Sequence, residues 1–160
     1  MTTTDFNASN QKEKSANNFV LDERLRADTV AVGDWPLSRV LLMNDSQYPW
    51  LILVPRRAGV SEIYQLDGAD QQQLMLESCA LSAAMAEHFQ ADKMNVANLG
   101  NIVAQLHLHH IARRKNDPAW PGPVWGKLPP QPYDAAALAG LREQMQVLLG
   151  GQLGWQSLPG

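Results

Sequence analysis

A chain of 160 residues can bury a full core unaided, because at this length roughly two-thirds of the unfolded surface is removed from water. With 45% hydrophobic and 18% charged residues it has a globular rather than a disordered balance, and its single cysteine, Cys79, excludes an intramolecular disulfide framework. A formal charge of -3 argues against a sequence-independent duplex-binding surface, so nucleic acid is not an expected partner, while a compact basic pocket for one nucleotide stays open.

Residues 1–18 are polar, carry no hydrophobic signal core and have nothing to bury; they read as a disordered leader. Residues 22–27 suit a short helix with Asp22 at its N-cap. Strands at 29–33 and 37–44 flank the proline turn Asp34-Trp35-Pro36. After a polar turn at 44–49, Leu51-Ile52-Leu53-Val54 is a wholly apolar strand stopped by Pro55. Arg56 and Arg57 beyond it read as solvated charge.

The main helix is expected over 67–90, where Leu74, Ser78, Leu81, Met85 and Phe89 recur at helical spacing and Asp67 or Asp70 can cap the start. Within it Cys79 reads as a small buried hydrophobe, and His88 as a solvated residue near the helix end. A strand at 93–99 leads through Gly100-Asn101 towards the histidines. Residues 117–126 hold too many prolines for a helix or a central strand, so they should cross the surface as a stiff segment carrying Trp120 and Trp125. Those two indoles read as a lid over the site or as structural and interface anchors. A last helix at 134–149 sets Leu138, Leu141, Met145 and Leu148 on one stripe, and Gly150 and Gly151 stop it. No run approaches the roughly 18 apolar residues of a membrane span, which points to a soluble cytoplasmic protein with no membrane partner.

The resulting fold class is α+β: an antiparallel sheet of about five strands, the long helix packed on one face, and a C-terminal helix. Residues 1–18 form the leader, 19–128 the main domain and 129–160 a helical extension.

The most informative stretch is Gln105-Leu106-His107-Leu108-His109-His110-Ile111-Ala112-Arg113. Its period-two alternation belongs to a strand, with Gln105, His107, His109, Ile111 and Arg113 on one face and Leu106, Leu108, His110 and Ala112 on the other. Two imidazoles on one face, bracketed by an amide and a guanidinium, suit phosphate chemistry or a metal. A neutral imidazole, with an ordinary pKa of about 6.5, can attack phosphorus if one ring nitrogen is free and the other donates a hydrogen bond. A second histidine can then donate to a phosphate oxygen or to the leaving atom. Asn98 and Gln105 can bond phosphate or ribose without adding charge, and Arg113 and Arg114 are placed to steer anions. Zinc or another transition ion is the weaker reading, because no cysteine pair or His-Glu motif lies near to complete a site. His110, on the other face, reads as a packing or interface residue.

Followed by Ala112 and Arg113, the run Gln105-Leu-His107-Leu-His109-His-Ile111 resembles the histidine triad (HIT) motif, His-φ-His-φ-His-φ-φ with φ apolar. The apolar strand at 51–55, the helix at 67–90 and the strand ending in Asn98-Leu99-Gly100 are similar to the family's elements in the same order, so the resemblance covers about residues 20–126. It is nearest to a compact bacterial branch with a Pro-Ala-Trp-Pro-Gly-Pro stretch. The resemblance implies hydrolysis or transfer of a nucleotide at its α-phosphate through a covalent nucleotidyl-histidine. His107 falls on the family's nucleophile and His109 on the histidine that contacts the phosphates and helps the leaving group. Asn98 falls on a phosphate or ribose ligand, and Asn44 and Asp45 near the ribose-binding carboxylate. It also implies a purine nucleotide or dinucleotide substrate, a homodimer, and neither cofactor nor metal. Three positions depart from the pattern: Gln105 replaces the first histidine, Trp50 stands where many members have another, and Ile102 falls where some place a phosphate-binding hydroxyl. A nucleotide-binding module with weak or lost catalysis is the alternative.

Overall fold

The computed structural model describes residues 18–159. The leader expected over 1–18 therefore lies, save Asn18, outside the described residues. In chain order the elements are α1 (Glu23–Asp28), β1 (Thr29–Asp34), β2 (Ser38–Met43), β3 (Trp50–Pro55), a 3-10 turn (Ile63–Gln65), α2 (Gly68–His88), β4 (Lys93–Asn98), β5 (Leu108–Arg113), α3 (Ala135–Leu149) and β6 (Gln156–Ser157). All pairings are antiparallel, in the order β4-β5-β3-β2-β1-β6. The expected α+β architecture is thus observed with a sixth strand added.

Each helix starts where a short acidic side chain satisfies a free backbone N–H. Asp22 accepts from Arg24 N, Asp67 from Asp70 N and Asp134 from Ala137 N. On one face of the sheet, Val32, Val40, Leu42, Leu51 and Leu53 pack with Leu74, Leu81 and Met85 of α2 and Met145 and Leu149 of α3. On the other, Leu41, Ile52, Val54 and Ile111 pack with Leu25 of α1 and with Val103, Ala119 and Val124 from loops. With both faces covered, β3 is apolar along its whole length.

Three expectations are corrected. Cys79 is exposed on α2 rather than buried; it sits one position beyond Ser78 and so points about 100° away from the buried stripe. Arg57 is not a solvated charge: it makes a bidentate pair with Asp70 at 2.6 and 3.0 Å, and Arg56 donates to the carbonyls of Trp35 and Pro36. The segment 117–126 does not merely cross the surface, because Ala119 and Val124 enter the core beneath it. β6 docks on β1 because Gly33 lets the Trp155 ring lie against the backbone where a Cβ would collide with it.

A buried carboxylate joins α2 to the β1–β2 turn. Fully enclosed Glu77 accepts from Leu37 N at 2.8 Å, from Ser38 N at 3.0 Å and from Gln73 Nε2 at 3.0 Å. Glu77→Ala strands two buried N–H groups, so it should destabilise the fold by about 2 kcal/mol or more in urea unfolding. An unchanged midpoint would mean that water replaces the carboxylate.

Candidate active site

The regular ladder of β5 begins at Leu108, so Gln105 and His107 lie in the segment that enters it rather than in the strand itself. The alternation still holds. Leu106, Leu108 and Ala112 join the core under α2 and α3, and Ile111 joins the opposite cluster. His107 and His109 stay on one side with ring centroids 4.8 Å apart. His110 faces α2, where it is fully enclosed and meets Ser78 Oγ at 2.7 Å.

His107 and His109 line a cavity of about 310 Å³. Its walls are Arg24, Leu25 and Asp28 from α1, Met43 and Trp50 from β2 and β3, the loop residues Leu99 and Asn101 to Val103, and Trp125. A second cavity of about 450 Å³ shares Arg24, Asp28, Met43, Trp50 and Trp125, and continues past Asn44 and Asp45 to the prolines at 130 and 132. Both cavities are walled largely by apolar side chains. Arg24 and Asp28, across from the histidines, approach each other at 4.0 Å.

His107 Nδ1 is 2.7 Å from the Gln105 carbonyl oxygen. A carbonyl only accepts, so Nδ1 carries the proton and Nε2 keeps its lone pair. His109 differs: its Nδ1 accepts a hydrogen bond from Trp50 Nε1 at 3.0 Å. Burial first, then the neighbouring His107 and His110, hold the His109 pKa down to about 3. Burial also takes His110 down to about 4, opposed in part by its hydrogen bond to the Leu108 carbonyl.

Gln105 contributes only its backbone to His107. Its side chain faces the chain's beginning, with Oε1 accepting from Asp22 N at 2.9 Å and Nε2 donating to the Val20 carbonyl at 2.8 Å. That clamp holds the entry to α1, whose residues wall the cavity. Asn98 is exposed at the end of β4, opposite Leu108, and the amide in the cavity wall is Asn101. Asn44 Oδ1 accepts from Tyr133 N, and buried Asp45 Oδ1 accepts from Gln47 N and Gln131 N, so both also tie down the segment after 126.

Arg113 is not placed to meet an anion in the cavity. It is 1% exposed, pairs bidentately with Asp117 at 2.7 and 2.9 Å and donates to Asn95 Oδ1 at 2.8 Å. Burial pushes the Asp117 carboxyl up, but hydrogen bonds from Arg113 and from the amides of Ala119 and Arg114 outweigh it, and its pKa lies below the usual carboxylate range. Arg114 donates to the Phe89 carbonyl. Trp120 lies over the Arg113 guanidinium at 5.7 Å and lines neither cavity. Trp125 is at the site, edge-on to His109 at 5.2 Å and to Trp50 at 5.8 Å. Among the described residues, no three of His, Cys, Asp and Glu come close enough to hold one metal ion.

Residue spacing alone assigns no role to Trp50, to the α1 residues Leu25 and Asp28, or to Asn101, all of which line the cavity. Trp50 is opposite Ile111 and Ile52 opposite His109, so Trp50 and His109 are diagonal neighbours on one face, within reach of a large side chain. Only the strand register reveals that, and residue spacing does not carry it.

The HIT domain family model matches residues 24–116. Among solved structures, a histidine triad protein from Marinobacter aquaeolei VT8 is 58% identical with a TM-score of 0.80, over 82% of this chain and 96% of that one. A histidine triad (HIT) protein from Sinorhizobium meliloti 1021 is 42% identical with a TM-score of 0.81, over 84% of this chain and 99% of that one. A diadenosine triphosphate hydrolase from Plasmodium falciparum shares the fold alone, at 14% identity and a TM-score of 0.55 over 84% of this chain and 82% of that one. No curated protein matches the chain.

Proposed function

This chain belongs to the HIT family, and on that premise we propose that it hydrolyses or transfers a nucleotide at its α-phosphate through a covalent nucleotidyl-His107. The observation that carries the reading is the 2.7 Å hydrogen bond from His107 Nδ1 to the Gln105 carbonyl, which leaves Nε2 as the unprotonated nitrogen of a ring lining the cavity. In the first step the Nε2–phosphorus bond forms and the bond to the leaving group breaks, with the electron pair departing on that group. In the second, water or another acceptor attacks phosphorus, the Nε2–phosphorus bond breaks and His107 is regenerated. In hydrolysis the net change is addition of water across the original bond, whose proton ends on the leaving group. His109 contacts the phosphate. The base and ribose occupy the groove between α1 and β2, near Asn44 and Asp45, and Trp125 closes one side. Asn98 and Asn101 are the amides available to phosphate oxygens.

A homodimer belongs to the same reading. β4 is a sheet edge with Val96 exposed, and α2 exposes Met75, Leu76 and Cys79. A second copy related by a two-fold axis would cover both features.

The deciding experiment incubates the protein with a nucleoside phosphoramidate and with a dinucleoside polyphosphate. The reaction is denatured in base, where a phosphorus–nitrogen bond survives, and the peptide containing His107 is weighed. Turnover together with one nucleotidyl group on His107 is expected. Retained nucleotide with no adduct and no turnover would point to a binding module instead.

A further inference from the structure

Three imidazoles lie within four residues, and two of them follow one rule. His107 and His110 each donate Nδ1–H to the carbonyl two residues back, at 2.7 Å to Gln105 and 3.2 Å to Leu108. Each therefore keeps its lone pair on Nε2, and that of His110 accepts from Ser78 Oγ. His109, between them, breaks the rule. Its Nδ1 faces the indole nitrogen of Trp50 at 3.0 Å, and an indole N–H can only donate. Nδ1 of His109 thus has no room for a proton, and the ring's single proton sits on Nε2.

The arrangement is enclosed. Trp50 is 7% exposed and His109 6%, and Trp125 stands edge-on to both rings. We propose that Trp50 is a positioning residue that locks His109 in the neutral Nε2–H tautomer, so that His109 serves as a fixed hydrogen-bond donor to the transferring phosphoryl group and moves no proton itself. This rests on the reading of His107 as nucleophile, but concerns a different atom and is measured separately. A neutral imidazole that gave up Nε2–H would become an imidazolate, which is inaccessible near neutral pH. To act as an acid the ring would first need a proton on Nδ1, and that proton would meet the Trp50 N–H head-on. The proton taken up by a departing amine or alcohol must then come from the substrate or from water.

The titratable and charged groups around His109 are few. His107 is 4.8 Å away, His110 is the next residue on the opposite face, and Arg24 and Asp28 of α1 share the cavity wall. Both indoles are neutral. A charged His109 would gain no acidic partner from β3, β5 or the 125 loop.

The test needs no substrate at first. Long-range proton–nitrogen NMR on the ¹⁵N-histidine-labelled full chain reads each ring's tautomer; His109 is expected as Nε2–H, with His107 and His110 reversed. Trp50→Phe keeps an aromatic ring and removes the donor, so His109 should lose its tautomer preference. The variant's kcat should fall about tenfold at pH 8, and the deficit should hold as pH drops through 6, because burial and the neighbouring His107 and His110, which keep His109 neutral there, are all retained. A purely structural defect would lower kcat without moving the tautomer. Trp125→Phe, which removes no hydrogen bond to His109, should leave the tautomer unchanged. An Nδ1–H His109 in the unmodified protein overturns the proposal even if Trp50→Phe fails to fold, and so does a folded Trp50→Phe variant with an unaltered tautomer. A missing adduct on His107 beside an Nε2–H His109 would remove the enzymatic reading and leave the lock in place.

Discussion

Replacing His107 by alanine is expected to lower kcat/KM on a nucleoside phosphoramidate by about 10⁴-fold or more, a loss of about 5 kcal/mol of transition-state stabilisation. The adduct should vanish with it. The size follows from the chemistry: among the described residues the only other imidazole lining the cavity is His109, whose Nδ1 is held by Trp50 and whose Nε2 holds a proton. His110 cannot substitute, because it is fully enclosed on the α2 side with Ser78. Folding should survive, since the lost ring frees only the Gln105 carbonyl at the edge of a cavity that water can enter. That costs about 1 kcal/mol, or a few degrees of Tm at this size. Activity above about a hundredth of the unmodified protein's, with normal stability, would show that water attacks phosphorus directly and that His107 only positions the substrate.

What the chain discloses before folding is its local logic. Asp22, Asp67 and Asp134 mark three helix starts because a short carboxylate before an amphipathic run has a ready use there. Alternation around His107 and His109 separates them from His110 because a strand has only two faces. What it withholds depends on register and on long-range pairing. Arg113 reads as an anion ligand when its neighbours in sequence are considered, yet Asp117 turns back through the 114–117 loop to neutralise it and Asn95 reaches it from the paired strand β4. Gln105 reads as part of the catalytic row, yet its amide is committed to Val20 and Asp22, over eighty residues earlier. β6 is two residues long and exposed, too short to leave a periodic signal, and forms only because Gly33 admits Trp155. Cys79 was readable: its position beside Ser78 puts it off the buried stripe of α2, and the general tendency of free cysteine to be buried pointed the wrong way.

Two buried neutral histidines should also make the fold acid-sensitive as pH falls below 6.5. His110 titrates at about 4 and His109 at about 3 in the folded protein, whereas both return to about 6.5 when the chain unfolds. Below pH 6.5 the unfolded chain binds protons that the folded one refuses, so stability is full above that value and falls as pH drops towards 4. Each group contributes a slope of about 1.4 kcal/mol per pH unit, and the pair about 4–5 kcal/mol lost between pH 6.5 and 4.5. Asp117 adds acid loss only lower down, because its carboxyl, depressed despite burial by the hydrogen bonds from Arg113, stays charged through this window. Urea unfolding at half-unit steps of pH measures the slope. The double variant Ser78→Ala with His110→Leu removes both members of one buried hydrogen bond and takes a donor only from the Leu108 carbonyl, so it should cost about 1 kcal/mol at pH 7. It should flatten the slope by about half, and the variant should become the more stable protein near pH 4.5. Equal slopes in the two proteins would mean that His110 is protonated in the fold, and that Ser78 Oγ accepts from its Nε2 rather than donating to it.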